Sequence, residues 1–148
     1  MTTLRQPDKV AVLASDPGVS GEALISQGPT KVPLWSHRKH FMVQHKTADY
    51  TITRQESGTL FTNLGAGATI TLNLPQNAIK GDCFYFVVLA VQQLRIDAGA
   101  AGAIYINGVK SADNAYIWAD DEGESVLLVC DGNNDWAALF TQGTWTVV

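Results

Sequence analysis

The side chains best suited to chemistry are few and poorly grouped. His37 and His40 lie three apart and His40 and His45 five apart, with no carboxylate between them, so a HExxH-type zinc pair is not present. They read as members of a basic, partner-facing segment. The run Asp120-Asp-Glu-Gly-Glu124 supplies enough carboxylates for acid/base work on a glycan or for calcium. It lacks the alternating spacing of a calcium loop, and consecutive carboxylates on a turn point into water, so it reads as a solvated turn. There is no G-x-S-x-G, no P-loop and no GxGxxG, and Gly65-Ala-Gly67 reads as a turn. Cys83 and Cys130 have no CxxC partner and sit in strand-like runs, where they are expected as buried free thiols. No catalytic residue, no metal ligand and no cofactor is expected, and the chain is not expected to be an enzyme.

Recognition fits the remaining residues better. Trp118, Trp136 and Trp145 fall in or near strand-like text, where core or subunit interface is the plain reading and a sugar-stacking platform the sharper one. Trp35 follows Pro33 and Leu34 in an otherwise polar stretch and reads as an anchor for a partner's pocket. Ser36-His-Arg-Lys-His40 is the one basic cluster, a poor phosphate footprint but a plausible match for the acidic body of a neighbouring copy. The candidate partner-binding set is therefore Leu34, Trp35, His37, Arg38 and Lys39.

The elements that must carry these residues divide the chain in two. In residues 1–46 Arg5, Lys9, Lys31, Arg38, Lys39 and Lys46 stand against Asp8, Asp16 and Glu22, an excess of three positive charges. Residues 47–148 hold four basic and eleven acidic side chains, an excess of seven negative charges, which brings the 148-residue chain to −4. Four of the five prolines (Pro7, Pro17, Pro29, Pro33) lie in the first part and block helices and ladders alike. It is expected to be an extended N-terminal arm with one or two short strands, one of them Val19 to Ile25, and 47–148 a β body. From Tyr50 onward, short alternating runs are punctuated by glycine: Thr69 to Leu74, Leu94 and Ile96, Ile104 and Ile106, Glu124 to Cys130, Asp135 to Phe140, Thr144 to Val148. Cys83 to Val91 is apolar on both faces and reads as a central strand buried on both sides. Asn107-Gly108 predicts a type I′ hairpin, and only Pro75 to Ile79 leaves room for a helical turn. Strands spaced about ten residues apart predict an all-β, antiparallel sandwich or barrel-like body. No repeat, heptad or collagen-like triplet is visible, so neither a solenoid nor a shaft is expected.

Composition excludes several classes. Charged residues make up 16% and hydrophobic ones 46%, which is wrong for a disordered chain. A net charge of −4 disfavours a dedicated nucleic-acid binder. No window of 18 apolar residues predicts a membrane span, and the N-terminus lacks a secretory apolar region, so synthesis in a cytoplasm is expected.

The stretch Thr59-Leu-Phe-Thr-Asn-Leu-Gly-Ala-Gly-Ala-Thr-Ile-Thr-Leu-Asn-Leu-Pro75 resembles a β-domain of tailed-bacteriophage structural proteins, found in head fibres, head-decoration proteins and tail-fibre ends. Gly81 to Val87, Leu94 to Ala98, Ile104 to Gly108, Gly123 to Gly132 and Trp136 continue the likeness, which covers about residues 48–145. It implies a homotrimer and carries no catalytic residues. The expected function is a capsid decoration (cement) protein on the virion surface. It would bind the major capsid protein through its N-terminal arm, with no nucleic-acid or membrane partner. The alternative is a tail-fibre or receptor-binding tip that contacts host surface glycans.

Overall fold

The computed structural model describes residues 41–148 and the backbone of two strands ahead of them, β1 (Glu22–Ile25) and β2 (Leu34–His37). These two pair antiparallel, with Glu22 opposite His37 and Ile25 opposite Leu34, in a unit separate from the body. The strand expected within Val19–Ile25 is present as β1.

The body begins at Phe41. Its strands are β3 (Val43–His45), β4 (Tyr50–Thr51), β5 (Leu60–Thr62), β6 (Ile70–Asn73), β7 (Cys83–Val87), β8 (Leu94–Asp97), β9 (Ile104–Ile106), β10 (Val109–Lys110), β11 (Tyr116–Ala119), β12 (Ser125–Cys130), β13 (Trp136–Gln142) and β14 (Thr146–Val147). Seven form one sheet in the order β10-β9-β13-β12-β7-β5-β3, and five form a second in the order β14-β11-β8-β6-β4. Alternation decides what lies between them. Inward residues such as Phe84, Phe86, Leu128 and Trp136 from the first sheet meet Ile70, Leu72, Ile96 and Ile117 from the second in one buried cluster. Phe61 anchors it, stacked 6.0 Å from Phe86 and tilted against Phe84 at 6.2 Å.

The all-β sandwich is as expected, but the sheets are mixed rather than antiparallel. From β3 to β8 each strand is followed by one in the opposite sheet, so β3, β5 and β7 run parallel, as do β4, β6 and β8. Only later do strands fold back: β12 is antiparallel to both β7 and β13, and β11 to both β8 and β14. The first six strands of the body, β3 to β8, thus wind as a short coil. Its turns differ in length, which hides any repeat. Register partners Val43, Leu60 and Tyr85 are 17 and then 25 residues apart, and Tyr50, Leu72 and Ile96 are 22 and then 24. β3 also lies inside the stretch read as arm. Its hydrogen bonding begins once the last early proline, Pro33, is past, ahead of the charge boundary at Lys46.

Asn107 (φ 51°) and Gly108 (φ 80°) form the β9–β10 turn as expected, both in the left-handed region that a type I′ turn requires. The helical turn is not at Pro75–Ile79, where a single turn closes from Ala78 N–H to the Pro75 carbonyl. It is the 3-10 segment Arg54–Glu56, whose start is fixed because the Glu56 carboxylate accepts from the Thr53 N–H at 2.7 Å.

Candidate functional site

Sequence reasoning placed its partner-binding residues at 34–39. Leu34, Trp35 and His37 fall on β2, in register with Ile25, Leu24 and Glu22, while Arg38 and Lys39 lie outside the described residues. The body offers three further places to look: the acidic turn and the two outward sheet faces.

The acidic turn divides. Asp120, Asp121 and Glu122 are exposed, as a solvated turn requires, but Glu124 is buried. Its Oε2 accepts the N–H groups of Asp120 (3.2 Å) and Asp121 (3.1 Å), and its Oε1 accepts that of Thr144. The carboxylate therefore clamps the turn before β12 to the turn before β14. Gly143 (φ +81°) lies against it, where a β-carbon would strike the Glu124 side chain. With both oxygens engaged by backbone, Glu124 is a fastener, and its three acidic neighbours are exposed. Among the described residues no group of His, Cys, Asp and Glu is arranged to hold a metal ion.

A second carboxylate is used similarly. Glu56 accepts from Tyr50 Oη (2.8 Å), Gln44 Nε2 (2.8 Å) and the Thr53 hydroxyl (2.9 Å) as well as the Thr53 N–H. Burial works against its charge, yet the hydrogen bonds from Thr53, Tyr50 and Gln44 outweigh burial and hold its pKa below the ordinary carboxylate value. The same contact, with burial and the nearby charge added, raises the Tyr50 phenol. Lys46 Nζ sits 3.2 Å from the centre of the Tyr50 ring. This cluster ties β3, β4 and the 3-10 turn together.

The tryptophans separate by burial. Trp136 is buried against Phe84, 5.6 Å between rings, and Trp145 is buried with its Nε1 donating to the Ser125 carbonyl at 3.1 Å. Neither can stack on a sugar. Trp118 is half-buried, because β11 turns Ile117 and Ala119 inward and leaves Tyr116 and Trp118 on the outer face of the five-stranded sheet. Its cross-strand neighbours are Arg95 and Thr146, and Arg95 in turn lies 5.0 Å from the Tyr116 ring. Asp97, Thr71 and Asn73 continue this face, which is polar with two aromatic rings.

The outer face of the seven-stranded sheet has the opposite character. A continuous row runs across five strands, Phe140 beside Leu127, then Tyr85, Leu60 and Val43. On one side lie Ala137, Val129 and Cys83; on the other Gln142, Ser125, Val87, Thr62 and His45. From β13 to β3 no Asp, Glu, Lys or Arg points outward. The register shift between Leu127 and Leu128 turns Leu139 out beside Phe140, which is 73% exposed. Phe41 packs edge-on against Tyr85, 4.7 Å between rings. Sequence reasoning missed this face. Its signal was present in Cys83 to Val91, apolar at every position, which was read as burial on both sides. Both thiols are free; Cys130 is buried as expected, whereas Cys83 is only partly so, being on this outer face.

No protein-family model matches the chain, and no curated protein matches it.

Proposed function

We propose that the chain is a virion structural protein of a tailed bacteriophage, a homotrimeric capsid decoration protein that stabilises the head through its N-terminal segment. The observation that carries this reading is the uncharged apolar outer face of the seven-stranded sheet, a surface suited to protein contact rather than to a small substrate. The sequence resemblance over residues 48–145 supports the same class. In the acidic run Glu124 is engaged as a fastener and Asp120, Asp121 and Glu122 are exposed, while Glu56 is engaged by Tyr50, Gln44 and Thr53.

Cementing by the first segment is multivalent, since each trimer offers three copies to one lattice, and linked contacts raise apparent affinity roughly 10²–10⁴-fold. Purified protein added to undecorated shells should raise their melting temperature as occupancy rises. Trp35→Ala should lower occupancy at high salt more than Arg38→Ala, because apolar anchoring survives screening and charge steering does not. Equal decoration by wild type and Trp35→Ala would remove the anchor from the account.

A second reading, a receptor-binding tip for host glycans, is favoured by one observation. Trp118 and Tyr116 flank Arg95 on a polar sheet face, an arrangement that suits a sugar ring lying on an aromatic plane. Glycan-array binding abolished by Trp118→Ala would move this reading ahead.

A further inference from the structure

We infer that the outer face of the seven-stranded sheet is the surface through which identical copies of this chain pack on one another. This gives the self-association in the proposed function a location, and it rests on that reading only for the existence of a homo-oligomer.

Within the body no strand covers this face, although its centre is as apolar as the core. Phe140, Leu139, Phe41 and Val43 are all more than half exposed, and Leu127 at the centre of the face lies outside the core cluster. Aromatic and aliphatic side chains without charge suit the buried centre of a protein interface. The five strands from β13 to β3 span roughly 24 Å, with outward residues over roughly 17 Å on β13, β12 and β7 and roughly 10 Å on β5 and β3. The projected area is about 330 Å² and the accessible area of its protruding side chains larger, so two copies joined here bury on the order of 1,000 Å², where specific interfaces begin.

Charge selects the occupant. The body carries the negative excess, but its charges lie on turns such as Asp120 to Glu122, on the five-stranded sheet at Arg95 and Asp97, and at the far strand edge, where Lys110 pairs with Asp135 at 3.0 Å. Two like-charged copies can therefore meet on this face without burying an unpaired charge. A partner recognised by its charge would find nothing here to read. A second copy brings the same uncharged rows, with Phe140 and Tyr85 as the side chains to interdigitate.

The test uses the full chain in size-exclusion chromatography with light scattering at micromolar concentration. Wild type should run as a multiple of the 15.9 kDa subunit. Leu139→Glu/Phe140→Glu should run as a single chain with unchanged near-ultraviolet circular dichroism, because both side chains are exposed in the subunit. Thr71→Glu, on the outer face of the other sheet, should keep the wild-type mass. Hydroxyl-radical footprinting of the wild type should show Phe41 and Phe140 protected, which decides the matter even if the double variant fails to fold. A wild type that is oligomeric while the double variant keeps its mass, or while Phe41 and Phe140 react as free side chains, overturns the surface and leaves self-association standing. A monomeric wild type overturns both; if its Phe41 and Phe140 are nonetheless protected, the chain's own first residues are the occupant instead.

Discussion

Single polar side chains hold this sandwich at places where its irregular backbone would otherwise be unpaired. Asn63 is fully buried and uses its whole bonding capacity: Nδ2 donates to the carbonyls of Ala90 (3.0 Å) and Gln92 (2.7 Å), and Oδ1 accepts the N–H groups of Leu89 (2.7 Å) and Ala90 (3.0 Å). It fixes the loop between β7 and β8, where the chain leaves one sheet for the other. Asn63→Ala should destabilise the fold by about 2–4 kcal/mol in chemical denaturation, since it orphans both donors and acceptors. The two buried tryptophans make a finer comparison. Trp145 loses a hydrogen bond on truncation, whereas Trp136 Nε1 is buried with no partner. Trp145→Phe should therefore cost about 1 kcal/mol more than Trp136→Phe. Glu56 gives a pH signature. Its folded pKa lies below the unfolded value, so its stabilisation is complete above the ordinary carboxylate pKa and is lost as pH falls through the folded value. Glu56→Gln should flatten the acid limb of the stability profile; an unchanged limb would place that pH dependence elsewhere. None of these roles is legible in the sequence, because an isolated Asn63 or the last carboxylate of an acidic run looks like any surface residue until the backbone around it is known.

At the scale of elements, periodicity records which face a residue takes and says nothing about strand direction. Thr69 to Leu74 showed its alternation clearly, and β6 buries Ile70 and Leu72 accordingly. The parallel pairing of β6 with β4 and β8 depends on crossings between sheets, which leave no local mark. β11 went unrecognised for another reason: Tyr116 and Trp118 face outward and are apolar too, so Tyr-Ile-Trp-Ala shows no contrast. The Asn107-Gly108 turn was legible because a left-handed backbone restricts residue type. Gly108→Ala should cost about 1 kcal/mol through that restriction alone, since nothing lies within 4 Å of an added β-carbon. Gly67→Ala, equally open and without a positive φ, should stay within about 0.5 kcal/mol. Equal losses at the two glycines would mean that backbone handedness does not govern the hairpin.

For the whole molecule, composition carried the low charge fraction but not its distribution. The structure spreads charge over turns and the five-stranded sheet and withholds it from one broad face, giving the body two unlike sides. The proposed decoration role needs a self-associating body together with a segment that grips a lattice, and it differs from the tail-tip role in number above all. A shell presents many equivalent sites, whereas a tail offers a few sets fixed by its closed symmetry. The direct measurement is the copy number of this chain per purified particle, by quantitative mass spectrometry against the major capsid protein. The decoration account predicts hundreds of copies in a fixed ratio to the shell subunit; a count of roughly three to eighteen, by the same symmetry argument, would contradict it.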